Sequence, residues 1–419
     1  MKVSRRGLIG GGAAAVGVAG AYVVGHEAAG TPVPASAPAA DAVASSYPFR
    51  GVHQAGIVTP AQDRLHFAAF DVRTDSRDEL VALLQAWTEA AERMTRGEGA
   101  GPVGPTEGAA DVPPDDTGEA IGLPPAGLTI TFGFGPGLFT RFGLEGRRPE
   151  ALQDLPHFPG DNLDPARSGG DLCIQACAQD PQVAVHAIRN LARIGFGTVA
   201  VRWSQLGFGR TSTTSTAQST PRNLFGFKDG TANVKAEEEE ALDDFVWVQD
   251  GDDPANDAAD WLAGGSYLVT RRINMTIEVW DRQPLADQED FIGRTKASGA
   301  PLSGGEELTE PDFRMPGRDG PVIARDAHIR IVHPTRNDGA RMLRRGYNFV
   351  DGSDALGGLD AGLFFIAFVR DPETQFIPLQ NRMAQMDALM EYLKFTSSAI
   401  FAVPPGVGPG EYVGQALFA

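Results

Sequence analysis

The pattern of apolar and polar positions predicts a definite order of elements in the first half of the chain. Residues 64–72 have the pattern of a strand, and residues 76–95 that of a helix. Ser76 stands at the N-cap of this helix and Glu79 at the capping-box position. Further elements are predicted as strands over 128–134, 171–178 and 197–203, and as a helix over 181–194 that opens with Pro181. The order is β-α-β-β-α-β, that of a ferredoxin-like unit.

The second half repeats this order. Its predicted elements are strands over 266–273, 328–333, 363–369 and 396–402, and helices over 274–292 and 373–393. We therefore expect an α+β protein of two duplicated ferredoxin-like units. Their antiparallel sheets would pack face to face, with helices outside and a pocket at one edge. The predicted domains are residues 45–222 and 223–419.

Composition narrows the classes of protein. The 419 residues include 54 Asp and Glu against 36 Lys and Arg, a formal net charge of −18. Such a chain is repelled by phosphate, so nucleic acid and anionic membranes are poor partners. Two cysteines exclude a disulfide scaffold and a cysteine-rich metal module. Cys173 and Cys177 fall on one predicted strand, too far apart for a disulfide, and we expect two buried thiols.

The N-terminus has the features of an export signal. Ser4, Arg5 and Arg6 precede an uncharged run over 7–25 that is rich in Gly and Ala. The run is long enough to span a bilayer, but its weak hydrophobicity favours a cleaved twin-arginine signal peptide over residues 1–44. We expect export to the periplasm or the exterior, and no stable membrane insertion after cleavage, since no other segment is apolar enough.

Three stretches carry candidate chemistry. In the stretch from His328 to Pro334, the predicted strand turns His328 and His333 to opposite faces, so they cannot hold one metal ion together. A single axial histidine is compatible with haem iron. The second stretch, residues 223–233, contains Asp229-Gly230, which alone is a turn signal. The third contains Arg344 and its neighbour Arg345, which are either solvated, paired with carboxylates, or placed at a cofactor.

Taken together, these stretches resemble one family. Gly226-x-x-Asp229-Gly230, then His328-Ile329-Arg330, then Leu343-Arg344-Arg345-Gly346-Tyr347 resemble, in order and spacing, the dye-decolourising peroxidases. The similarity extends over essentially the whole mature length. It is greatest to the exported, twin-arginine-dependent group, which includes enzymes described as deferrochelatases.

The resemblance implies non-covalent haem b (iron protoporphyrin IX) in the C-terminal half. It makes His328 the axial ligand, Asp229 the distal acid–base and Arg344 the distal charge stabiliser or a partner of a haem propionate. Asp387 is our candidate for the carboxylate that bonds His328. The other residues implied to contact the haem are Gly230, Thr231, Ala232, His333, Pro334, Thr335 and, over the distal face, Phe365.

The implied reaction is the oxidation of dyes and other small reductants by hydrogen peroxide. An aspartic acid titrates at lower pH than a histidine, with reference pKa values of about 3.9 and about 6.5, so we expect an acidic optimum. A further hypothesis is that surface Trp or Tyr residues transfer electrons from bulky dyes that cannot enter a buried pocket. The candidate residues are Trp203, Trp247, Trp261, Trp280 and Tyr347.

Several alternatives stay open at this point. One is an exported protein that releases iron from haem without peroxide. Another is a non-enzymatic haem carrier, which would not need both Asp229 and Arg344. A chlorite-dismutase-type enzyme is disfavoured by the Gly-x-x-Asp-Gly element. Expected partners are the peroxide, the reductant and the twin-arginine export machinery, and homo-oligomer formation is left open.

Overall fold

The structure, a computed structural model, describes residues 45–318 and 320–419. The predicted signal peptide over residues 1–44 lies outside the described residues. In the described part, no helix is both long and apolar enough to cross a membrane. The strands are β1 Arg64–Val72, β2 Thr129–Phe134, β3 Leu172–Ala178, β4 Val199–Arg210, β5 Ser266–Met275, β6 Leu343–Arg344, β7 Tyr347–Ser353, β8 Leu359–Val369 and β9 Leu393–Val403.

The helices are distributed unevenly between the halves. Those of the first half are α1 Arg77–Thr95, α2 Pro136–Arg141 and α3 Pro181–Ile194. Those of the second half are α4 Glu239–Phe245, α5 Ile277–Trp280, α6 Leu285–Ile292, α7 His328–Ile331, α8 Phe376–Met386 and α9 Gln415–Phe418. Short 3-10 turns lie at Glu145–Arg147, Pro165–Arg167, Asp257–Leu262, Pro334–Arg336 and Ala388–Tyr392.

The described strands form one nine-stranded sheet rather than two separate sheets. Their order is β5-β9-β2-β3-β1-β4-β7-β8-β6, and β5 also pairs with β8. Within the first half the order is β4-β1-β3-β2, and within the second it is β9-β5-β8-β7, all antiparallel. The two sets join through β4–β7 and β2–β9. The prediction of separate sheets packed face to face is therefore corrected: the sets share edges and close into a ring.

The sheet separates two apolar clusters. Side chains from both halves, among them Phe67, Phe364 and Phe401, form a cluster enclosed by the ring. The other face of the first-half strands packs against α1 and α3, whose apolar stripes include Trp87 and Leu191. Strand residues alternate between the two clusters because successive side chains point to opposite faces. Cys173 and Cys177 are buried free thiols, as predicted.

Two predictions for the second half are wrong. Residues 274–292 form two helices, α5 and α6, with Pro284 between them at the N-cap of α6. Residues 328–333 are not a strand: His328–Ile331 is the helical turn α7. Arg330 holds this turn, since its Nη1 donates to the carbonyls of Phe313 and Ile323 at 3.1 Å each. In the β-α-β-β-α-β order, the place predicted for residues 328–333 is taken by β7, which the pattern did not predict.

The start of α1 shows a smaller difference. Ser76 is the N-cap, as predicted, and its Oγ accepts a hydrogen bond from the backbone N–H of Glu79 at 3.3 Å. The capping box does not close, because the Glu79 carboxylate accepts from the Thr74 hydroxyl instead. Thr74 Oγ1 in turn accepts from the backbone N–H of Ser76 at 3.0 Å.

Candidate active site

A tight loop before Asp229 fixes the position of its carboxylate. The backbone N–H of Asn223 donates to the carbonyl of Phe227 at 3.1 Å, and that of Asp229 donates to Pro221 at 3.0 Å. Gly230 has φ +80° and sits so close to Ser212 that a Cβ would lie 2.7 Å from its Cα. Only glycine fits there without a shift of the backbone. The Asp229 side chain keeps 19% of its surface exposed.

Arg344 reaches Asp229 from the edge strand β6. Its Nη1 donates to Asp229 Oδ1 at 3.3 Å, and 28% of its side chain is exposed. Asn233 clamps the Arg344 backbone: Asn233 Oδ1 accepts from its N–H at 2.7 Å, and Asn233 Nδ2 donates to its carbonyl at 2.9 Å. The Ser212 hydroxyl donates to the same carbonyl at 2.8 Å. The loop that carries Asp229 therefore also sets the position of Arg344.

His328 begins α7 and is held by a buried carboxylate. Its Nδ1 lies 2.7 Å from Oδ2 of Asp387, which follows α8 and has no exposed side-chain surface. Asp387 Oδ1 accepts the backbone N–H of Leu389 at 2.9 Å, so the carboxylate is fixed at both oxygens. An ionised carboxylate can only accept hydrogen bonds, so beside it the neutral form of the ring carries its proton on Nδ1 and has its lone pair on Nε2. The imidazole is 26% exposed.

The charges of the site act on this imidazole. Burial lowers the pKa of His328, but the charge of Asp387 and its hydrogen bond raise it, and the net pKa is above the ordinary value. The charge of Asp229 raises the pKa further, whereas that of Arg344 lowers it. The ion pair is therefore close enough to the imidazole for its charges to act on the ring.

Phe365 lies on the same face of the sheet as Arg344. Arg344 is paired with Ala367 in the β6–β8 register, and Phe365 precedes Ala367 by two positions. Side chains two apart on a strand share a face. The Phe365 ring is 6.0 Å from that of Phe376 at the start of α8, and Phe365 is only partly buried. It adds an apolar side chain to the sheet face that carries Arg344.

The remaining predicted contacts lie on two turns. Gly230, Thr231 and Ala232 follow Asp229 directly, and Thr231 Oγ1 donates to Glu307 at 3.3 Å. His333 caps the 3-10 turn after α7. Its Nε2 is 2.9 Å from Glu310, and its Nδ1 is 2.9 Å from the Thr335 hydroxyl. Pro334 and Thr335 are the first two residues of this turn and directly follow His333.

The two adjacent arginines have different environments. Arg345 has no exposed surface, and it donates to the Thr214 hydroxyl at 3.3 Å and, at a shorter distance, to the carbonyl of Thr59. It pairs with none of the carboxylates that sequence reasoning considered. The proposed surface relays are not surface residues, since each is less than 10% exposed: Trp203, Trp247, Trp261, Trp280 and Tyr347.

Two asparagines of the site escaped the sequence analysis. Asn223 Nδ2 donates to Asp229 Oδ2 at 3.1 Å, and Asn233 holds Arg344. Both lie inside the stretch of residues 223–233. An asparagine in a loop usually satisfies the loop's own backbone, so its residue type alone did not indicate which partner it has.

These residues fit a haem. The His328 side chain is 26% exposed, and its Nε2 has no hydrogen bond or ion pair in the described part of the chain. Buried Asp387 bonds the other ring nitrogen, and the charges of Asp229 and Arg344 act on the ring. A histidine that binds iron through one nitrogen and bonds a carboxylate through the other is a common arrangement for iron in a porphyrin. In the described residues, no group of three or more His, Cys, Asp and Glu side chains is arranged to hold a metal ion by itself. The site therefore has the residue types that a haem protein uses to hold its iron.

Comparisons with known proteins identify the family. Residues 54–209 match the family model described as Dyp-type peroxidase, N-terminal, and residues 220–408 match Dyp-type peroxidase, C-terminal. The chain is 39% identical over 433 residues to a dye-decolorizing peroxidase of Thermobifida fusca, covering 99% of this chain and 97% of that one. It is 38% identical over 421 residues to a deferrochelatase of Escherichia coli strain UTI89, covering 99% and 96%.

Solved structures agree with this match. A structure of DtpA from Streptomyces lividans, described as an oxyferrous/water mixed complex, superposes with a TM-score of 0.82 at 41% identity and covers 91% of this chain and 100% of that one. A DyP-type peroxidase from Streptomyces coelicolor gives a TM-score of 0.81 at 42% identity, covering 91% and 99%. The chain belongs to the Dyp-type peroxidase family. It is a haem peroxidase, with hydrogen peroxide and a reductant as its reactants.

Proposed function

We propose that His328 is the axial ligand of haem b iron, that Asp229 transfers protons on the distal side, and that Arg344 stabilises negative charge there. One observation carries this assignment: the Asp229–Arg344 ion pair acts on the imidazole of His328, whose Nδ1 is held by buried Asp387. The bound haem supplies the ferric iron that reacts with peroxide and stores its oxidising equivalents.

Asp229 is suited to move a proton. Arg344 donates to its Oδ1 and Asn223 donates to its Oδ2, so the carboxylate is held at both oxygens, and each oxygen keeps a further lone pair. The carboxylate takes a proton from hydrogen peroxide and returns it to the oxygen that leaves as water, directly or through one water molecule. Arg344 supplies a fixed positive charge where negative charge develops on the leaving oxygen.

The residues around this pair have supporting roles. Asp387 accepts a hydrogen bond from the Nδ1–H of His328, which fixes the ring and makes Nε2 a stronger electron donor. Phe365 limits water beside the charged pair, which strengthens their electrostatic interaction. Contact with the haem by Gly230, Thr231 and Ala232, and by His333, Pro334 and Thr335, is supported by the position of these turns directly after Asp229 and after α7.

The test is peroxide-driven oxidation of an anthraquinone dye by the haem-loaded protein at acid pH. We expect Asp229→Asn and Arg344→Leu to keep the haem and to lose at least about a hundredfold in rate, as expected for loss of an acid–base group or a charge stabiliser. His328→Ala is expected to lose or alter the haem spectrum. The rate of the wild type is expected to rise toward acid pH.

Two results would count against the assignment. A wild type that binds haem and does not react with peroxide would return Asp229 to the role of a turn residue. An Asp229→Asn variant with the wild-type rate and pH profile would leave the proton transfer to another group.

Release of iron from haem is a second candidate function. It is favoured by the similarity to relatives named deferrochelatase, which is as extensive as that to the peroxidase of Thermobifida fusca. The measurement is iron release from haem without peroxide, with the porphyrin recovered intact and quantified by fluorescence. Recovery of iron-free porphyrin would support this function, and haem unchanged after many hours would exclude it.

We also infer that residues 45–222 and 223–419 are two copies of a ferredoxin-like unit. The same strand order in both halves, β4-β1-β3-β2 and β9-β5-β8-β7, supports this. Export by the twin-arginine route, to the periplasm or exterior, is proposed from the sequence of residues 1–44. Replacement of Arg5 and Arg6 by lysine is expected to retain the haem-loaded protein in the cytoplasm, as measured by fractionation.

A further inference from the structure

Glu307 bridges two residues on either side of Asp229. Its Oε2 pairs with Nζ of Lys228, the residue before Asp229. Its Oε1 accepts a hydrogen bond at 3.3 Å from the hydroxyl of Thr231, two residues after Asp229. Both bonds come from a distant segment, since Glu307 lies 79 positions beyond Lys228 and 76 beyond Thr231. One carboxylate therefore holds the loop on both sides of the proposed acid–base.

The Glu307 carboxylate is half-buried and charged. Only 18% of its side chain and 25% of that of Lys228 are exposed, so solvent screens this pair less than it screens a fully exposed one. Burial raises the pKa of Glu307, but its hydrogen bonds and the charge of Lys228 lower it, and the net pKa is below the ordinary value. An ionised carboxylate accepts at both oxygens, so it bonds Lys228 and Thr231 at the same time.

The backbone of Glu307 is fixed by a half-buried arginine. Arg294 Nη1 donates to the carbonyls of Glu307 and Gly299 at 2.8 Å each. Gly299 has φ +78°, and a Cβ at this position would lie 2.8 Å from Cδ of Lys228. The stem of Lys228 therefore packs against the segment that carries Glu307. Arg294 closes residues 294–307 into a loop and leaves the Glu307 carboxylate little freedom to move.

A second arginine joins this segment to the start of the Asp229 loop. Arg222 Nη1 donates to the carbonyl of Gly226 at 2.7 Å and to that of Lys296 at 2.6 Å. Its Nη2 donates to the carbonyl of Ala297 at 2.8 Å. Arg222 thus attaches the beginning of the loop, and Glu307 attaches the residues that flank Asp229.

The bonds of Asp229 depend on where this loop holds it. Arg344 Nη1 reaches Asp229 Oδ1 at 3.3 Å, just beyond the usual range of about 2.7 to 3.2 Å, so a small displacement of the loop breaks the bond. Misplacement of a reacting group by about 1 Å can cost about a hundredfold in rate. Lys228 is also the cation next to Asp229 in the chain, and its pairing with Glu307 keeps it from competing with Arg344.

We propose that Glu307 is a positioning residue for Asp229. By bonding Lys228 and Thr231, it holds the Asp229 carboxylate where it meets Arg344 and transfers protons. The inference rests on the proposed proton transfer by Asp229 and extends it to a residue in a different segment of the chain. Glu307 acts through the loop, because its two bonds go to the neighbours of Asp229.

Hydrogen exchange measures the mobility of the loop without any reaction at the haem. Glu307→Gln keeps the size of the side chain and removes its charge and one acceptor oxygen. We expect it to speed exchange in peptides covering residues 221–233 at least about fivefold, in the haem-free and the haem-loaded protein, as measured by mass spectrometry. The matched control Glu306→Gln removes the same charge from the exposed neighbouring side chain and should leave this exchange unchanged.

The rate constant for the reaction with peroxide tests whether this position matters to Asp229. Stopped-flow measurements on the haem-loaded protein should show a loss of about fivefold to thirtyfold in Glu307→Gln, with the haem content unchanged. In the Asp229→Asn background the same substitution should cause no further loss, because residues that act through one group are not additive. Lys228→Met should reproduce the loss, and Glu307→Asp, which keeps the charge, should lose less.

Several outcomes would overturn the proposal. One is wild-type exchange and a wild-type rate constant in both Glu307→Gln and Lys228→Met. Another is an equal loss caused by Glu307→Gln in the wild-type and Asp229→Asn backgrounds, which would indicate general loosening of the site. A wild-type rate constant in Asp229→Asn alone would refute the proton transfer and this inference together. A large loss in Asp229→Asn without any loss in Glu307→Gln would refute only the role of Glu307.

Discussion

Each half of the molecule contains a histidine that bonds a buried aspartate, and the two pairs differ in the exposure of the imidazole. In the first half, His186 Nε2 lies 3.0 and 3.1 Å from the two oxygens of Asp116, and the side chains are 5% and 2% exposed. In the second half, His328 Nδ1 lies 2.7 Å from Asp387, and the imidazole is 26% exposed. Both carboxylates also accept backbone N–H groups.

The comparison separates structure from function. Asp116 ties the loop before it to α3, because its oxygens also accept from the backbone N–H groups of Ala100 and Gly118 at 2.6 and 2.7 Å. The pair with His186 is enclosed on all sides. Asp387 bonds His328 in the same manner, but there the imidazole is 26% exposed and the charges of Asp229 and Arg344 act on it. A histidine–carboxylate pair becomes a ligand site only where the other ring nitrogen is left accessible.

The largest expected effect is on haem retention. We expect His328→Ala to lower the haem that stays bound through gel filtration by at least about tenfold, because it removes the proposed iron ligand. His186→Ala should keep a full complement of haem and lower the melting temperature, because it leaves the buried Asp116 without its partner. Haem is measured by the pyridine haemochrome assay. Equal haem loss in both variants would show that the two pairs serve the same structural purpose.

The two aspartates provide the next test. Asp387→Asn should reduce haem affinity by up to about a hundredfold and raise the reduction potential of the iron, because a neutral amide makes His328 a poorer electron donor. Asp116→Asn should leave the potential unchanged and lower the melting temperature. The measurement is spectroelectrochemical titration of both holoproteins. An unchanged potential in Asp387→Asn would limit this carboxylate to a packing role.

A third histidine shows what burial does without a carboxylate. His66 Nδ1 is buried with no partner among the described residues, and burial lowers the pKa of His66 from 6.5 to about 4. The folded state therefore favours the neutral ring. The contribution of this preference to the free energy of unfolding is fully present above pH 6.5 and is lost as the pH falls toward 4. By pH 5 the loss amounts to about 2 kcal/mol.

The melting temperature measures this loss. Between about pH 7 and pH 5 it should fall less in His66→Gln than in the wild type, because the variant has no ring to protonate. His157→Gln, which replaces an exposed histidine, is the control and should follow the wild type. Parallel pH profiles for His66→Gln and the wild type would show that folding does not lower the pKa of His66.

The smallest expected effect concerns two buried asparagines. Asn233 holds the Arg344 backbone, whereas Asn190 in the first half bonds Thr117 and the carbonyl of His186. Asn233→Ala should lower the rate constant for the reaction with peroxide about threefold to tenfold, because Arg344 loses its fixed position. Asn190→Ala should lower the melting temperature without changing that rate. The rate constants are measured by stopped flow at fixed pH. Equal rate constants for Asn233→Ala and the wild type would indicate that Ser212 alone is enough to position Arg344.

Much of the first half could be predicted from sequence because its elements are strongly patterned. Helices α1 and α3 have apolar stripes that face the sheet, and clear N-caps in Ser76 and Asp180. In the second half the pattern failed at 328–333, where Ile329 and Ile331 alternate with polar residues. The turn there depends on the bonds of Arg330 to Phe313 and Ile323. Local periodicity contains no information about those contacts.

The sequence by itself determined the chemistry that is available: a carboxylate after a tight glycine turn, an arginine pair, and one histidine compatible with haem. The tertiary structure decided their use. It brought together His328 and Asp387 across 59 positions, and Asp229 and Arg344 across 115. It also turned Arg344 into the site and buried Arg345 against carbonyls of the first half. The reason is physical: propensity and periodicity act between neighbours in the chain, whereas the exposure and partner of a polar group depend on distant segments packed around it.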